Sequence, residues 1–328
     1  MAFSEIRRQK FISQAQYQTQ SNWLRSGIAS YADNLLNVDL LPGAIIDYKW
    51  LIASNSLELM ILGYTAGNDI PDLRSQLPGV IEAFSDFVAH EVSPRDENPP
   101  LAEADTFEIT QLEAYVYVFW LLALCKLLRH ESLIPKVISW VDKTYEFNRG
   151  RDILFENVVQ ALTGKHVEPE KVLLHPQPYR PLGRATVYAP EERSALVKEF
   201  LETWYKDMKP CFWHGTHADK DGDYFGYWAF EAALVTVLWD IDDSSYRDHL
   251  VYPKDLVDWY RSHANAAPNN RPPRTPAGQP CPKEGWWFTP ASAGSRRFFK
   301  QGETMSEVES DYGSTFWQWD VDQSTTKS

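Results

Sequence analysis

The chain has 328 residues, of which 44% are hydrophobic, so it can bury a substantial core, and disorder of the whole chain is excluded. Its 45 acidic and 32 basic residues give a formal net charge of −13. This charge repels phosphate backbones and attracts basic proteins, which disfavours direct binding of nucleic acid.

Signals for secretion or membrane insertion are not evident in the sequence. The basic residues near the N-terminus are followed by neither an apolar segment nor a small-residue cleavage site. The most apolar run, residues 114–125, is shorter than the roughly 20 residues that a membrane span needs. Cys125, Cys211 and Cys281 are widely spaced and odd in number, which indicates reduced thiols. We therefore expect a cytoplasmic protein without membrane contact, in which residues 114–125 form a buried core helix.

Apolar residues recur at helical spacing in the first half of the chain. The first stripe comprises Ile46, Trp50, Ala53, Leu57 and Ile61. It predicts a helix that is followed by a turn over residues 63–71. The second stripe comprises Leu133, Val137, Trp140, Val141 and Tyr145. It predicts another helix of similar kind.

Glycine and proline mark the predicted ends of later helices. Gly164 is placed to end a helix over residues 153–163. Pro190 and the two acids after it are typical of a helix start, and this helix is predicted to continue to Pro210. Its apolar stripe consists of Leu196, Phe200 and Trp204. Pro253 begins a further short helix in the same way.

The C-terminal part of the chain has a different composition. Few alternating strand patterns precede residue 265, so residues 1–263 are predicted to form a bundle of about eight or more helices in antiparallel pairs. Six prolines in residues 264–284 predict a linker. Aromatic runs separated by glycines predict a small β appendage over residues 285–320, followed by a flexible tail over residues 321–328. The predicted fold class is therefore mainly α.

The negative charge is concentrated in two segments. Residues 82–113 carry a net charge of −8 and residues 211–261 a net charge of −6, which leaves +1 for the rest of the chain. Because local fields steer a partner, these segments and the tail aromatics are the predicted protein-binding regions. The candidate partner-binding residues are Asp219, Asp221, Asp223, Asp242, Asp243, Glu103, Asp105, Glu108, Trp286, Trp287 and Trp317. A basic trio, Arg296, Arg297 and Lys300, either folds back on the acidic body or contacts the partner.

Residues 214–223 are the most metal-like stretch, because they combine two histidines with several aspartates. An EF-hand loop that starts at Asp219 has its glycine at the wrong position and Phe230 where the bidentate glutamate belongs. A zinc site at His214 and His217 needs further ligands, and no HExxH motif is present. The favoured interpretation is a polar turn before a helix, without a metal. Asp242 and Asp243 are interpreted as the end of one element and the cap of the next.

Catalytic motifs are equally sparse. The sequence contains no G-x-S-x-G elbow, P-loop or G-x-G-x-x-G motif, so we expect no enzymatic activity and no cofactor. Two alternatives stay open. One is a helical glycosidase or metal hydrolase that uses His214, His217, Asp219 and Asp223, and the other is a secretion-system adaptor that docks through the aromatic tail.

Four segments of the chain resemble one known family. They are residues 224–233 (YFGYWAFEAA), 241–244 (IDDS), 252–256 (YPKDL) and 57–70, the last with a helix, a Y-T-A-G turn and a second helix. This combination resembles the PoNi family, the immunity proteins of PoNe-type DNase toxins. The similarity extends from about residue 20 to residue 262.

The resemblance implies an all-helical immunity protein without catalytic residues. It implies that the protein binds and neutralises a cognate antibacterial nuclease toxin, often a type VI secretion effector, in the producing cell. Within the similar region, five residues fall at helical intervals and predict an aromatic helix: Tyr224, Tyr227, Trp228, Glu231 and Leu238. We expect Glu231 to be a buried or half-buried carboxylate that is paired within the fold.

Overall fold

The computed structural model describes residues 2–37, 39–91, 105–165, 167–169, 173–218, 223–263, 273–289, 292, 294–308, 315–320 and 323. In these ranges the chain is mainly α-helical, with a small antiparallel sheet near its C-terminus, so the predicted fold class is confirmed. Within the same ranges, no helix is long and apolar enough to cross a membrane.

The chain forms two compact units, each built from two separate stretches. Unit 1 comprises Met1–Trp140 and Met208–Trp228, and unit 2 comprises Val141–Asp207 and Ala229–Ser328. Independent folding of residues 1–263 stays a prediction.

Unit 1 contains both long and short helices. They are α1 (Phe3–Ile6), α2 (Gln14–Asn34), α3 (Pro42–Ala66), α4 (Ile70–His90), α5 (Leu112–Leu127) and α6 (Ile134–Val141), of which α6 ends at the unit boundary. Helix α3 packs against both α2 and α4. Every residue from 114 to 125 is buried in α5, which confirms the predicted core helix. Its Cys125 is a free thiol, and burial raises the pKa of that thiol to about 12.

The turn after α3 is shorter than predicted. Helix α3 continues to Ala66, and α4 begins at Ile70, so the connection is three residues long. Gly67 ends α3 with a φ of +98°, a conformation that glycine adopts without steric cost. A Cβ atom at this position would lie 2.2 Å from the carbonyl oxygen of Ile6, so the turn requires glycine.

Unit 2 contains shorter helices and the sheet. The helices are α7 (Tyr145–Asn148), α8 (Ile153–Thr163), α9 (Pro176–Val187), α10 (Pro190–Asp207), α11 (Phe230–Trp239) and α12 (Lys254–Ser262). The boundaries predicted from Gly164, Pro190 and Pro253 are confirmed. The helix predicted from Leu133 to Tyr145 is interrupted after Val141, whose carbonyl oxygen accepts a hydrogen bond from Asn148 Nδ2 at 2.7 Å.

The sheet has four strands in the order β1-β4-β2-β3, and all pairs are antiparallel. The strands are β1 (Arg274–Pro276), β2 (Gly285–Phe288), β3 (Arg297–Phe299) and β4 (Phe316–Trp319). The last three coincide with the predicted aromatic runs. Strand β1 lies inside the segment predicted as a linker, because Arg274 and Thr275 separate the prolines and pair with β4.

The sheet packs on helical residues of unit 2 through an apolar contact. Phe316 lies in a cluster with Ile153 and Val187. Two members of the basic trio are engaged near the sheet, since Arg296 forms an ion pair with Asp320 and Arg297 lies 3.7 Å from a carboxylate oxygen of Glu303.

Candidate functional site

The segment just before α11, residues 223–229, has no regular secondary structure, which corrects the predicted aromatic helix. Helix α11 begins only at Phe230. Gly226 has a φ of +133°, and a Cβ atom there would lie 2.1 Å from Thr65 Oγ1. Residues at helical intervals are therefore held outside a helix, because an α-helix does not accommodate the positive φ of Gly226.

Two buried polar side chains, Gln9 and Thr65, fix the strip of residues 223–228 within unit 1. Gln9 accepts a hydrogen bond from the backbone N–H of Tyr227 at 2.9 Å and donates one to the carbonyl oxygen of the same residue at 2.6 Å. Thr65 Oγ1 accepts a hydrogen bond from Trp228 Nε1 at 2.9 Å and lies 2.6 Å from the carbonyl oxygen of Phe225. The aromatic motif thus anchors the chain immediately after Asp223.

Asp223 lines a pocket of about 540 Å³ in unit 1. Helix α3 supplies one wall through Leu51, Ser54, Asn55 and Glu58. Their spacing of three, four and seven residues places all four on one face of the helix. The volume lies in the range typical of ligand pockets.

Glu58 is a carboxylate with only 8% of its surface exposed. No hydrogen bond or ion pair joins it to another residue in the part of the chain that the structure describes. Burial, and to a smaller extent the charge of Asp223, raises the pKa of Glu58 from 4.5 to about 8. The side chain is therefore mostly protonated at pH 7 in the free protein, and a nearby positive charge would favour its ionised form.

Two exposed carboxylates line the same pocket. Asp223 is exposed, and Glu113 lies in the first turn of α5. One oxygen of Glu113 accepts the backbone N–H of Phe212 at 2.6 Å, which fixes the position of that carboxylate. None of the described lining residues is a lysine, arginine or histidine. The pocket therefore concentrates negative potential.

Aromatic rings form much of the remaining wall. Trp50 and Tyr117 both line the pocket, with ring centroids 5.9 Å apart. Burial, followed by the charges of Glu58 and Glu113, raises the pKa of Tyr117 well above its usual value, so its hydroxyl group stays protonated and neutral. Trp23 and Phe212 are also lining residues, and they are 54% and 51% exposed.

The predicted partner-binding residues fall into three groups. Asp219, Asp221 and Glu103 lie outside the described residues. The side chains of Asp105, Glu108, Asp243, Trp287 and Trp317 are buried. Asp223 and Asp242 are exposed, and Trp286 is half-buried. The role of all three groups in partner binding stays a prediction, but the buried group offers little surface to a partner.

The acid pair Asp242 and Asp243 lies in a turn and does not cap a helix, since α11 ends at Trp239 with Asp240 as its C-cap and Pro253 is the N-cap of α12. Asp242 accepts hydrogen bonds from the backbone N–H and the hydroxyl of Ser244, which lower the pKa of its carboxyl group. Asp243 is 3% exposed, and its carboxylate accepts hydrogen bonds from Arg261 at 2.8 Å and from Arg247 at 3.3 Å. The pair organises the turn between α11 and α12.

The metal-like stretch, residues 214–223, lies only partly within the described residues. His217 Nδ1 lies 2.9 Å from the hydroxyl of Tyr227, and its ring packs 4.9 Å from that of Phe11. Within the ranges that the structure describes, no group of three or more histidine, cysteine, aspartate or glutamate side chains could hold a metal ion. Asp219 falls outside those ranges.

The sequence did not lead us to Glu58, the most buried carboxylate of the pocket. A signal was nevertheless present, since Glu58 is the only charged residue in the mostly apolar stretch between Trp50 and Tyr64. A single acidic residue on the buried face of a helix indicates a buried carboxylate, and such a group needs a hydrogen-bonding or charged partner.

Comparisons with known proteins agree with this architecture. The family model of the PoNe immunity protein (PoNi), N-terminal, matches residues 8–140, and that of the PoNe immunity proteins (PoNi), C-terminal, matches residues 150–256. The crystal structure of protein PA2201 from Pseudomonas aeruginosa shares the fold, with a TM-score of 0.59 and 22% identity over 79% of this chain and 92% of that chain. No curated protein matched the chain. The two family models together span most of the sequence, and the chain belongs to the PoNe immunity protein (PoNi) family.

Proposed function

We propose that this protein binds a PoNe-type nuclease toxin, a DNase, and neutralises it in the cytoplasm of the cell that produces both. The observation that carries the proposal is the family match over residues 8–140 and 150–256. Delivery of the toxin by type VI secretion belongs to the same proposal. The net charge of −13 supports it, because nucleases need basic surfaces to hold phosphate, and an acidic protein attracts such surfaces.

Co-expression tests this function in cells. A strain that expresses the cognate toxin with this chain is expected to grow as well as a strain that carries a catalytically inactive toxin. The same strain without the chain is expected to lose its DNA and its viability. Equal killing with and without the chain, at matched protein levels, would refute the proposal.

Acidic residues of the segment 211–261, Asp219 and Asp221 among them, are proposed to steer toxin association. Replacing Asp219 and Asp221 by lysine leaves the pocket carboxylates in place and is expected to slow association about tenfold at low salt. The effect should shrink as salt screens the charges, with little change in thermal stability. Stopped-flow association kinetics at several salt concentrations measure this.

A matched variant distinguishes the effect of where the charges lie from the effect of the net charge on the association rate. Glu199 and Glu202 are exposed residues of α10 outside both acidic segments, and their replacement by lysine changes the net charge by the same amount. We expect this control to slow association much less. Equal slowing by both variants would show that net charge alone acts, and wild-type rates in both would contradict steering.

A further inference from the structure

The pocket in unit 1 has the composition of a receptor for a cation. We infer that it binds an arginine side chain presented by the toxin, with the guanidinium against Glu58 and flanked by Glu113 and Asp223. This inference rests on the proposed function, because it names the chemistry by which the toxin is held. It assigns a binding site at Glu58, in addition to the exposed acids that steer association.

Glu58 carries the electrostatic part of the inference. A carboxylate that is 92% buried ordinarily has a hydrogen-bonded or charged partner, because burial without one is costly. Glu58 has neither in the part of the chain that the structure describes, yet it borders a pocket large enough to admit one. A cation that enters the pocket would meet two exposed carboxylates and the buried carboxyl group of Glu58, whose ionised form it would favour, and no competing base among the described lining residues.

The aromatic walls favour arginine over lysine. Trp50, Tyr117 and Trp23 line the same pocket as the carboxylates. A guanidinium is planar and weakly hydrated, so it stacks on such rings while its N–H groups bind a carboxylate in two places. An ammonium group is more strongly hydrated and lacks this planar fork. Arginine therefore fits both the charge and the walls of the pocket.

The exposed rim favours a protein over a free small cation. Trp23 and Phe212 line the pocket and are about half exposed, at 54% and 51%. Exposed aromatic side chains beside a charged pocket offer apolar contact to the surface that surrounds an inserted arginine. Tryptophan, tyrosine and arginine dominate the binding energy of protein interfaces. The composition of the pocket and its rim therefore resembles that of the centre of a protein–protein interface.

The first part of the test uses small probes with the full-length protein. Ligand-observed NMR titrations compare N-acetyl-arginine amide with N-acetyl-lysine amide and with N-acetyl-citrulline amide, which has the shape of the arginine probe but no charge. We expect saturable binding of the arginine probe, weaker binding of the lysine probe and none of the citrulline probe. Glu58→Gln should reduce the affinity for the arginine probe at least tenfold.

The second part measures the affinity of the full-length protein for the purified, catalytically inactive toxin. Glu58→Gln is expected to weaken binding at least tenfold. The control is Glu82→Gln, the same substitution at an exposed carboxylate of α4 that pairs with Lys136 at 2.8 Å. Toxin affinity should be unchanged in this control. Because Glu58 accepts no hydrogen bond from the residues that the structure describes, Glu58→Gln is not expected to destabilise the fold, and melting curves check this.

The outcomes separate the inference from the proposed function. If the wild-type protein binds toxin and Glu58→Gln binds equally well, the toxin does not use the pocket, and arginine-probe binding would then indicate a site for a free small cation. Equal binding of the arginine and citrulline probes, or no saturable binding of the arginine probe, overturns the cation pocket. If the wild-type protein does not bind the toxin, the proposed function fails, whatever the probes show.

Discussion

Replacing Glu58 by glutamine is expected to stabilise the free protein, and the gain should grow as the pH rises from 5 to 8. Burial and the charge of Asp223 raise the pKa of Glu58 from 4.5 to about 8, so folding opposes ionisation of this group. Below pH 4.5 the carboxyl group is protonated in both the folded and the unfolded state. Above that pH the unfolded chain releases the proton first, and stability is lost until the folded protein also ionises near pH 8.

The size of this effect follows from the same pKa difference. Each unit corresponds to about 1.4 kcal/mol, so the interval from 4.5 to about 8 sets an upper limit of about 5 kcal/mol. Water that enters the pocket reduces the penalty below that limit. Among the described residues, Asp223 and Tyr117 are titratable groups that interact electrostatically with Glu58, and Glu113 lines the same pocket. A glutamine at position 58 keeps the shape of the side chain and removes the ionisation.

Urea unfolding at pH 5, 6, 7 and 8 measures the prediction as a difference between variant and wild type, which cancels most other titrations. Glu82→Gln is again the matched control, because its carboxylate is exposed and its contribution is expected to stay within about 1 kcal/mol. A free-energy difference between Glu58→Gln and wild type that does not change with pH would contradict the account of Glu58.

Replacing Glu231 by alanine is expected to have the opposite effect, a loss of about 3 kcal/mol in the free energy of unfolding. Glu231 is fully buried in α11, and one of its oxygens accepts hydrogen bonds from Trp204 Nε1 at 2.7 Å and from Tyr179 Oη at 3.2 Å. Alanine would leave these two buried donors without this acceptor, and each orphaned group costs about 1–3 kcal/mol. The sequence-based expectation of a buried carboxylate that is paired within the fold is confirmed.

The conservative variant Glu231→Gln shows whether the acceptor oxygen is responsible. Its amide oxygen can accept the same hydrogen bonds from Trp204 and Tyr179 as the carboxylate oxygen does. We therefore expect it to recover much of the stability that Glu231→Ala loses, as measured by denaturant unfolding. Equal destabilisation by both substitutions would contradict the hydrogen-bond explanation and indicate that charge or packing dominates.

The two glutamates illustrate how similar residues acquire different roles. Both interrupt apolar helices and both are buried. Glu231 receives two donors from α9 and α10, which makes it part of the fold. Glu58 borders a pocket and accepts no hydrogen bond from the residues that the structure describes, so its acceptor capacity is available to a partner.

Helix boundaries were predictable where the local chemistry decides them. Gly164 ends α8 with a φ of +75°, and Pro190 begins α10, because these residues act on the backbone within one turn. The strip before α11 was predicted wrongly because tertiary hydrogen bonds from Gln9 and Thr65 decide its conformation. Those partners are far away in the sequence, and spacing within the strip carries no information about them.

The candidate site was predictable only in part. Asp223 was singled out from its acidic neighbourhood, and the structure places it beside a pocket. Glu58 and Glu113 join it there because α3, α5 and the chain after α10 meet in unit 1. Single-segment patterns do not reveal such convergence. Strand β1 was missed for a related reason, since its pairing with β4 bridges about 40 residues of chain.

The central claim, that the protein neutralises a nuclease by direct binding, is tested most directly with purified components. The cognate toxin is incubated with increasing amounts of the full-length protein, and the cleavage of plasmid DNA is followed. The account predicts that cleavage stops near a fixed stoichiometric ratio and that the two proteins co-elute in size-exclusion chromatography. Undiminished cleavage in the presence of excess folded protein, without co-elution, would contradict it.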